Sequence, residues 1–323
     1  MPDSEILKRL DKYEIRPNEQ LGQHILIDPK WLGFIAAQTC SGAHVIEIGA
    51  GPGNLTELIA ALAKSVTAVE LDRRYEPMLV DLQRQHPNIT VVFGDAIKLN
   101  FRQIQKSSDQ ILQVIGNIPY HISEPLMKKL TEIPIEDAVL TVGDKLSVTL
   151  RETNPSSIDF TKLSLLALGF FDVDLLAKIP KSAFYPIPRT ESQIIRITPK
   201  MKAESSNPGI RVIQQLFLNG ENSSVENIIR TALQSGMTDQ RVRHKDERNK
   251  HERRETRRSL EIMKREYNAP QELSEEVGQR SIYRDPISRM HIPDQILNRR
   301  FSSLNNDELC TLTRAILEVY PSQ

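Results

Sequence analysis

One stretch constrains the fold more than any other. His44-Val45-Ile46-Glu47-Ile48 is a short β-rich run, and it breaks into Gly49-Ala50-Gly51-Pro52-Gly53. Asn54-Leu55-Thr56 then opens a helix that the pattern carries to about Ala63. Strand, glycine turn and helix in this order begin a nucleotide-binding βαβ unit. Glycines let the backbone take positive φ and approach a ligand closely. The dinucleotide fingerprint asks for a further glycine where Asn54 stands, and Pro52 removes one N–H from the loop. A loop of this composition suits a cofactor without phosphates better than a pyrophosphate.

Later strands repeat the device. Ser65 to Asp72 reads as a second strand with Glu70 at its end, placed to accept both hydroxyls of a ribose. Ile89 to Phe93 is a third, ending in Gly94-Asp95-Ala96, with Asp95 placed to accept from an adenine amino group. A fourth spans residues 111–116 and breaks at Asn117-Ile118-Pro119-Tyr120. Open α/β sheets bind ligands at this carboxyl edge. A polar group at each strand end outlines S-adenosylmethionine, with the glycines near its methionine part.

The remaining pattern sets the organisation. Helices are expected at 29–39, 126–132 and 162–170, and further strands at 137–142, 172–177 and 193–198. Residues 143–158 carry no clear pattern, and Ala183 to Arg189 is an extended, proline-fixed loop bearing aromatics. Pro199 to Gly209 reads as a linker, which places one domain at 1–200 and a helical one at 201–323. The second domain contains a charged insertion at about 236–290. Within it, residues 241–266 hold eleven Lys or Arg and six Asp or Glu. That segment is a solvated helix, a disordered insertion or an RNA contact. The basic arm at 1–20, with Lys8, Arg9, Lys12 and Arg16, is a solvated helix or an RNA-contacting one.

Charge balance shapes the partners. There are 42 basic and 42 acidic residues, so nucleic-acid binding must rest on local patches. Cys40 and Cys310 lie far apart, as fits a reduced, cytoplasmic protein, and no His/Cys/Asp cluster has metal-ligand spacing. No apolar run approaches the roughly 20 residues that span a bilayer, and no membrane association is expected.

These motifs together resemble the ribosomal RNA adenine N6-dimethyltransferases, both the small-subunit kasugamycin-sensitivity type and the large-subunit erythromycin-resistance type. The resemblance rests on Leu21-Gly22-Gln23-His24-Ile25-Leu26, on Glu47 to Gly53, Glu70 and Gly94-Asp95-Ala96, on Asn117 to Ser123, and on Phe184 to Pro188. It covers residues 16–198 well. It implies a Rossmann-like class I methyltransferase domain followed by a small helical domain. It also implies S-adenosyl-L-methionine as cofactor, with ribosomal RNA or a ribosomal-subunit precursor as partner. By position, Gln23, His24, Leu26, Gly49, Gly51, Glu70, Asp95 and Asn117 would enclose the cofactor. Asn117 and the Ile118 carbonyl would accept from adenine N6, with Pro119 fixing the turn. Tyr120 and Phe184 would stack on the two faces of a flipped-out base. The enzyme is expected to be a cytoplasmic monomer.

The chain departs from the family pattern in places. Gly143-Asp144-Lys145-Leu146 replaces a stretch that usually has a glutamine near position 143 followed by Glu-Val-Ala-x-Arg. Asn219-Gly220-Glu221-Asn222 stands where a basic cluster is usual. Leu163 to Pro180 and the Asn-Ile-Pro-Tyr spelling lean to the large-subunit resistance type. The Ala-Gly-Pro-Gly loop and the tail from Ile296 to Leu309 lean to the small-subunit type. Two alternatives stand beside this reading. One is an RNA-binding ribosome-assembly factor with reduced catalysis; the other is a methyltransferase of the same fold with a non-RNA substrate.

Overall fold

A computed structural model describes residues 5–18, 22–104, 111–119, 122–200, 207–234 and 286–321. The chain divides into two compact units, Met1–Lys200 and Met201–Gln323. The charged segment 241–266 and the aromatic Tyr120 lie outside the described residues.

The first unit is built on a seven-stranded sheet. In chain order its strands are β2 (His44–Ile48), β3 (Ser65–Glu70), β4 (Ile89–Phe93), β5 (Leu112–Asn117), β6 (Asp137–Gly143), β7 (Phe171–Ile179) and β9 (Ser192–Pro199). Their spatial order is β4-β3-β2-β5-β6-β9-β7. The first five are parallel, and β9 runs antiparallel to both of its neighbours. Every residue of β2 and β6 is buried. This is what a parallel strand covered on both faces requires, and it explains their near-continuous apolar spelling. A separate two-stranded pair joins β1 (Ile25–Leu26) to β8 (Phe184–Tyr185). Residues read as an extended loop thus contribute a strand, because their partner lies far away in sequence.

Helices fill both faces. On one side, α2 (Pro29–Ala36) and α3 (Asn54–Ala60) pack Leu32, Ile35 and Ile59 against Val45, Val66 and Ile115. Asp28 caps α2 by accepting from the Lys30 N–H, with Pro29 at the first helical position. Both helices stop one turn or less before their expected ends. On the other side, α4 (Glu76–Gln85) packs Met78 and Leu79 together with Ala68 and Tyr75. The N-terminal helix α1 (Glu5–Lys12) joins this cluster through Ile6 and Leu10, so the basic arm is anchored by an apolar stripe. Helix α6 (Ser123–Leu130) starts earlier than the pattern implied. The unassigned polar stretch contains helix α7 (Asp144–Arg151), and α8 (Lys162–Phe170) opens on a Thr161–Ser164 capping box.

Gly116 in β5 is a close-approach position. A Cβ there would stand 2.7 Å from the Ile48 carbonyl oxygen and 2.8 Å from Ile118 Cδ1. Gly116→Ala is therefore expected to cost about 1–3 kcal/mol by overpacking. A chemical denaturation midpoint equal to wild type would contradict this tight seam between β2 and β5.

The second unit is helical over its described residues. Helix α9 (Pro208–Asn219) buries Ile210, Val212, Ile213 and Leu216, and Asn207 caps it. A helix over 225–234 follows, and Asn306–Val319 buries Leu309, Leu312 and Ile316 at helical spacing. Asn305 and Glu308 form the capping box of this last helix.

Candidate active site

Four strands deliver their ends to one edge of the sheet. The glycine loop follows β2, Glu70 closes β3, Asp95 follows β4 and Asn117 closes β5. Strand order reverses at β2, which pairs with β3 on one side and β5 on the other. The crevice at this switch point is where an open α/β sheet binds ligands. It holds a cavity of about 570 Å³. Gly49, Gly51, Glu70, Asp95, Asn117, Gln23, His24 and Leu26 all line it.

The loop has the backbone that its glycines permit. Gly49 and Gly51 sit at φ 75° and 54°, a region in which a side chain would be strained. The Gly51 N–H donates to Glu70 Oε2 at 2.7 Å, and the Asp72 N–H donates to Oε1 at 2.8 Å. Each carboxylate oxygen is thus oriented by one backbone donor and retains lone pairs for a second. Burial pushes the Glu70 carboxyl above its usual range, and these two N–H groups pull it back. Asp95 accepts from the Ile97 N–H at 2.9 Å, which fixes its carboxylate at the cavity wall.

The N-terminal segment closes over the same cavity through long-range bonds. Gln23 Nε2 donates to Asp72 Oδ2 at 2.8 Å, and the Asn18 N–H donates to Gln23 Oε1 at 2.7 Å. Arg74 pairs with Asp72 and donates to the Arg16 carbonyl at 3.0 Å. This Arg74 contact, followed by Gln23, holds the Asp72 carboxyl down to about 2. Asn54 Nδ2 donates to the Leu26 carbonyl at 2.6 Å, tying β1 to the start of α3.

Asn117 stands between two spaces. Its Nδ2 donates to the His24 carbonyl at 2.7 Å, which leaves Oδ1 as an acceptor. The Ile118 N–H donates to the Thr141 carbonyl at 2.9 Å and holds the corner against β6. His24 Nδ1 lies 2.8 Å from the Pro186 carbonyl oxygen, so the loop after β8 is drawn to the same corner. Beside the large cavity is a small one of about 30 Å³, lined by His24, Asn117, Ile118, Pro119 and Phe184 among others. Phe184 borders this pocket, but it is 2% exposed and belongs to the apolar core. Of the expected site residues, only Tyr120 lies outside the described residues.

Sequence reading gave no role to Glu47, which is 1% exposed at the cavity wall. Its Oε2 has no hydrogen-bond partner. Burial pushes its carboxyl up to about 8; the Thr56 side chain opposes the shift and the Glu70 charge adds to it. An acid inside an apolar strand, two residues before a glycine loop, was the available signal. A group with a raised folded-state pKa contributes stability at low pH and loses it as pH rises through that pKa. Glu47→Gln mimics the protonated acid. Its stability advantage over wild type is expected to grow between about pH 4.5 and about pH 8, by roughly 3–5 kcal/mol in all. Denaturant melts across this range check the prediction, and parallel pH profiles would contradict it.

The family model described as Ribosomal RNA adenine dimethylase matches residues 15–265. A curated relative, "Probable ribosomal RNA small subunit methyltransferase A" of Methanopyrus kandleri, is 34% identical over 236 residues, covering 71% of this chain and 81% of that protein. A protein of the same name from Pyrococcus abyssi is 37% identical over 194 residues, covering 59% and 68%. Among solved structures, a dimethyladenosine transferase from Plasmodium falciparum aligns with TM-score 0.52 at 22% identity, covering 90% of this chain and 96% of that one. The 23S rRNA methyltransferase ErmE aligns at 0.50 with 18% identity, covering 90% and 99%. At these identities both structures speak to the fold, a Rossmann-like methyltransferase sheet.

Proposed function

The chain belongs to the ribosomal RNA adenine dimethylase family, and on that premise we infer a small-subunit ribosomal RNA target and S-adenosylmethionine as methyl donor. The protein is an enzyme that methylates adenine at N6 in ribosomal RNA. The names of the relatives from Methanopyrus and Pyrococcus support the small subunit. The single observation that carries the site reading is Asn117, which borders both the large cavity and the small pocket.

The residues fit this donor. The cavity of about 570 Å³ suits a nucleoside with an amino-acid arm. The glycine cradle admits close approach, Glu70 offers two oriented acceptors to ribose hydroxyls, and Asp95 offers one to an amino group. Glu47, at the wall of the same cavity, holds a buried oxygen with no hydrogen-bond partner. When bound, S-adenosylmethionine supplies an electrophilic methyl group on a sulfonium. Gln23, His24 and Leu26 would cover it, held by their hydrogen bonds with Asp72, Pro186 and Asn54.

The protein's own part is orientation. The N6 lone pair of adenine is delocalised into the ring, so N6 is a poor nucleophile. Asn117 Oδ1 and the Ile118 carbonyl would accept the two N6 hydrogens, turning the lone pair toward the methyl group and stabilising developing positive charge. Pro119 fixes the backbone at this corner. Positioning of this kind is worth up to several kcal/mol of barrier. Tyr120 and Phe184 would stack on the extruded base, which for the buried Phe184 requires its ring to turn toward the pocket. We assign RNA recognition to residues 201–323; the family match running on to residue 265 supports this. The enzyme is read as a cytoplasmic monomer, and the family's name supports two rounds of methylation.

Reverse transcription of ribosomal RNA, with and without the enzyme, tests the target. New stops at adenines of the small-subunit RNA are expected. Stops confined to large-subunit RNA would overturn the subunit assignment.

A further inference from the structure

Thr141 occupies an unusual place in β6. It lies between Leu140 and Val142 in a strand whose residues are all buried, and it is itself 2% exposed. Its Oγ1 has no hydrogen-bond partner. A valine would fill nearly the same volume without burying a hydroxyl, so local packing gives no reason for threonine here. Buried polar groups that break a local rule tend to mark sites rather than scaffold.

Its position gives the reason. Thr141 pairs in register with Asn117 across the parallel β5–β6 ladder, so the two side chains stand on one face of the sheet. Both line the small pocket that also holds Ile118, Pro119 and Phe184. The Thr141 carbonyl is committed to the Ile118 N–H at 2.9 Å, whereas its hydroxyl is uncommitted. A neighbouring position adds space: Gly143, at the end of the same strand, also lines the pocket and carries no side chain.

We propose that Thr141 is a base-positioning residue, its hydroxyl donating to a ring nitrogen that flanks the amino group of the target adenine. The chemistry is complementary. Asn117 Oδ1 and the Ile118 carbonyl are acceptors and suit the two N6 hydrogens. The remaining features of that edge of adenine are ring acceptors, N1 and N7, which need a donor. Thr141 and Ser192 are the hydroxyl residues of the pocket's lining, and Thr141 Oγ1, which is buried, has no competing partner. The bond fixes rotation of the base in its plane, which two contacts to a single exocyclic nitrogen leave loose. This inference rests on reading the Asn117 corner as the adenine site.

The test uses the full chain with Thr141→Val, Thr141→Ser and Asn117→Ala. Thr141→Val is expected to lower kcat/KM for ribosomal RNA by about tenfold. Its affinity for S-adenosylhomocysteine and its thermal midpoint are expected to stay at or above wild type. Thr141→Ser is expected to recover most of the loss. Target RNA carrying 1-deazaadenosine or 7-deazaadenosine identifies the acceptor: with one of them, wild type loses about tenfold and Thr141→Val loses nothing further. Wild-type activity in Thr141→Val overturns the proposal. So does a loss that is accompanied by lower stability and weaker cofactor binding, which would mark the hydroxyl as structural. If Asn117→Ala retains full activity, the site reading itself fails. If only Asn117→Ala is impaired, this inference alone fails.

Discussion

Asn117→Ala is expected to lower kcat for methyl transfer to ribosomal RNA by about a hundredfold or more, while cofactor affinity changes by less than tenfold. The asymmetry follows from geometry. Asn117 Nδ2 holds the His24 carbonyl at 2.7 Å, which leaves Oδ1 free to accept, and the residue borders both pockets. On the proposed site, removing the amide would take an acceptor from N6 at the moment its charge develops. Loss of one preorganised group aimed at developing charge typically costs 10²–10³ in kcat. The contacts proposed for the cofactor, at Glu70, Asp95 and the glycine loop, would be untouched. Single-turnover transfer of tritiated methyl from S-adenosylmethionine measures the first quantity, and calorimetry with S-adenosylhomocysteine measures the second. Near-wild-type turnover would remove Asn117 from the chemistry.

Glu70→Ala is expected to act on the other half of the site. Two charged hydrogen bonds to ribose hydroxyls are worth about 1.5–3 kcal/mol each, so cofactor affinity is expected to fall by about 10²–10⁴-fold. The same change leaves the Gly51 and Asp72 N–H groups without their acceptor, so the glycine loop loses its brace. Stability falls with affinity. Glu70→Gln retains one acceptor and is expected to lie between the two. A Glu70→Ala protein that binds S-adenosylhomocysteine as tightly as wild type would contradict the ribose assignment.

Much of the candidate site was legible because its residues sit at strand ends. A strand end is marked locally by where a β-rich run breaks, and Gly49, Glu70, Asp95 and Asn117 all stand at such breaks. What escaped the sequence was long-range. Nothing near Gln23 announces Asp72, and nothing near Asp72 announces the Arg16 carbonyl that Arg74 also reaches. Phe184-Tyr185 reads as loop until Ile25-Leu26 is known to pair with it. Helix α7 was hidden because Gly143, at its N-cap, offers no side-chain cap. Helix α4 gives no clear signal in the sequence, although Pro77 stands in its first turn and Met78, Leu79 and Leu82 mark one face. Its charged outer face masks the short apolar stripe. Thr141 reads as an ordinary strand residue, since an unpartnered hydroxyl is visible only once its surroundings are placed.

The central claim is that the Asn117-Ile118-Pro119 corner presents adenine N6 to a methyl donor held over the glycine loop. The most direct test incubates the purified protein with S-adenosylmethionine labelled in its methyl group and small-subunit ribosomal RNA or subunit precursors. The RNA is then digested to nucleosides, and the label is identified by mass spectrometry. The account predicts label in N6-methyladenosine and N6,N6-dimethyladenosine, and its loss with Asn117→Ala. Label in any other nucleoside, or undiminished N6 label with Asn117→Ala, would contradict it.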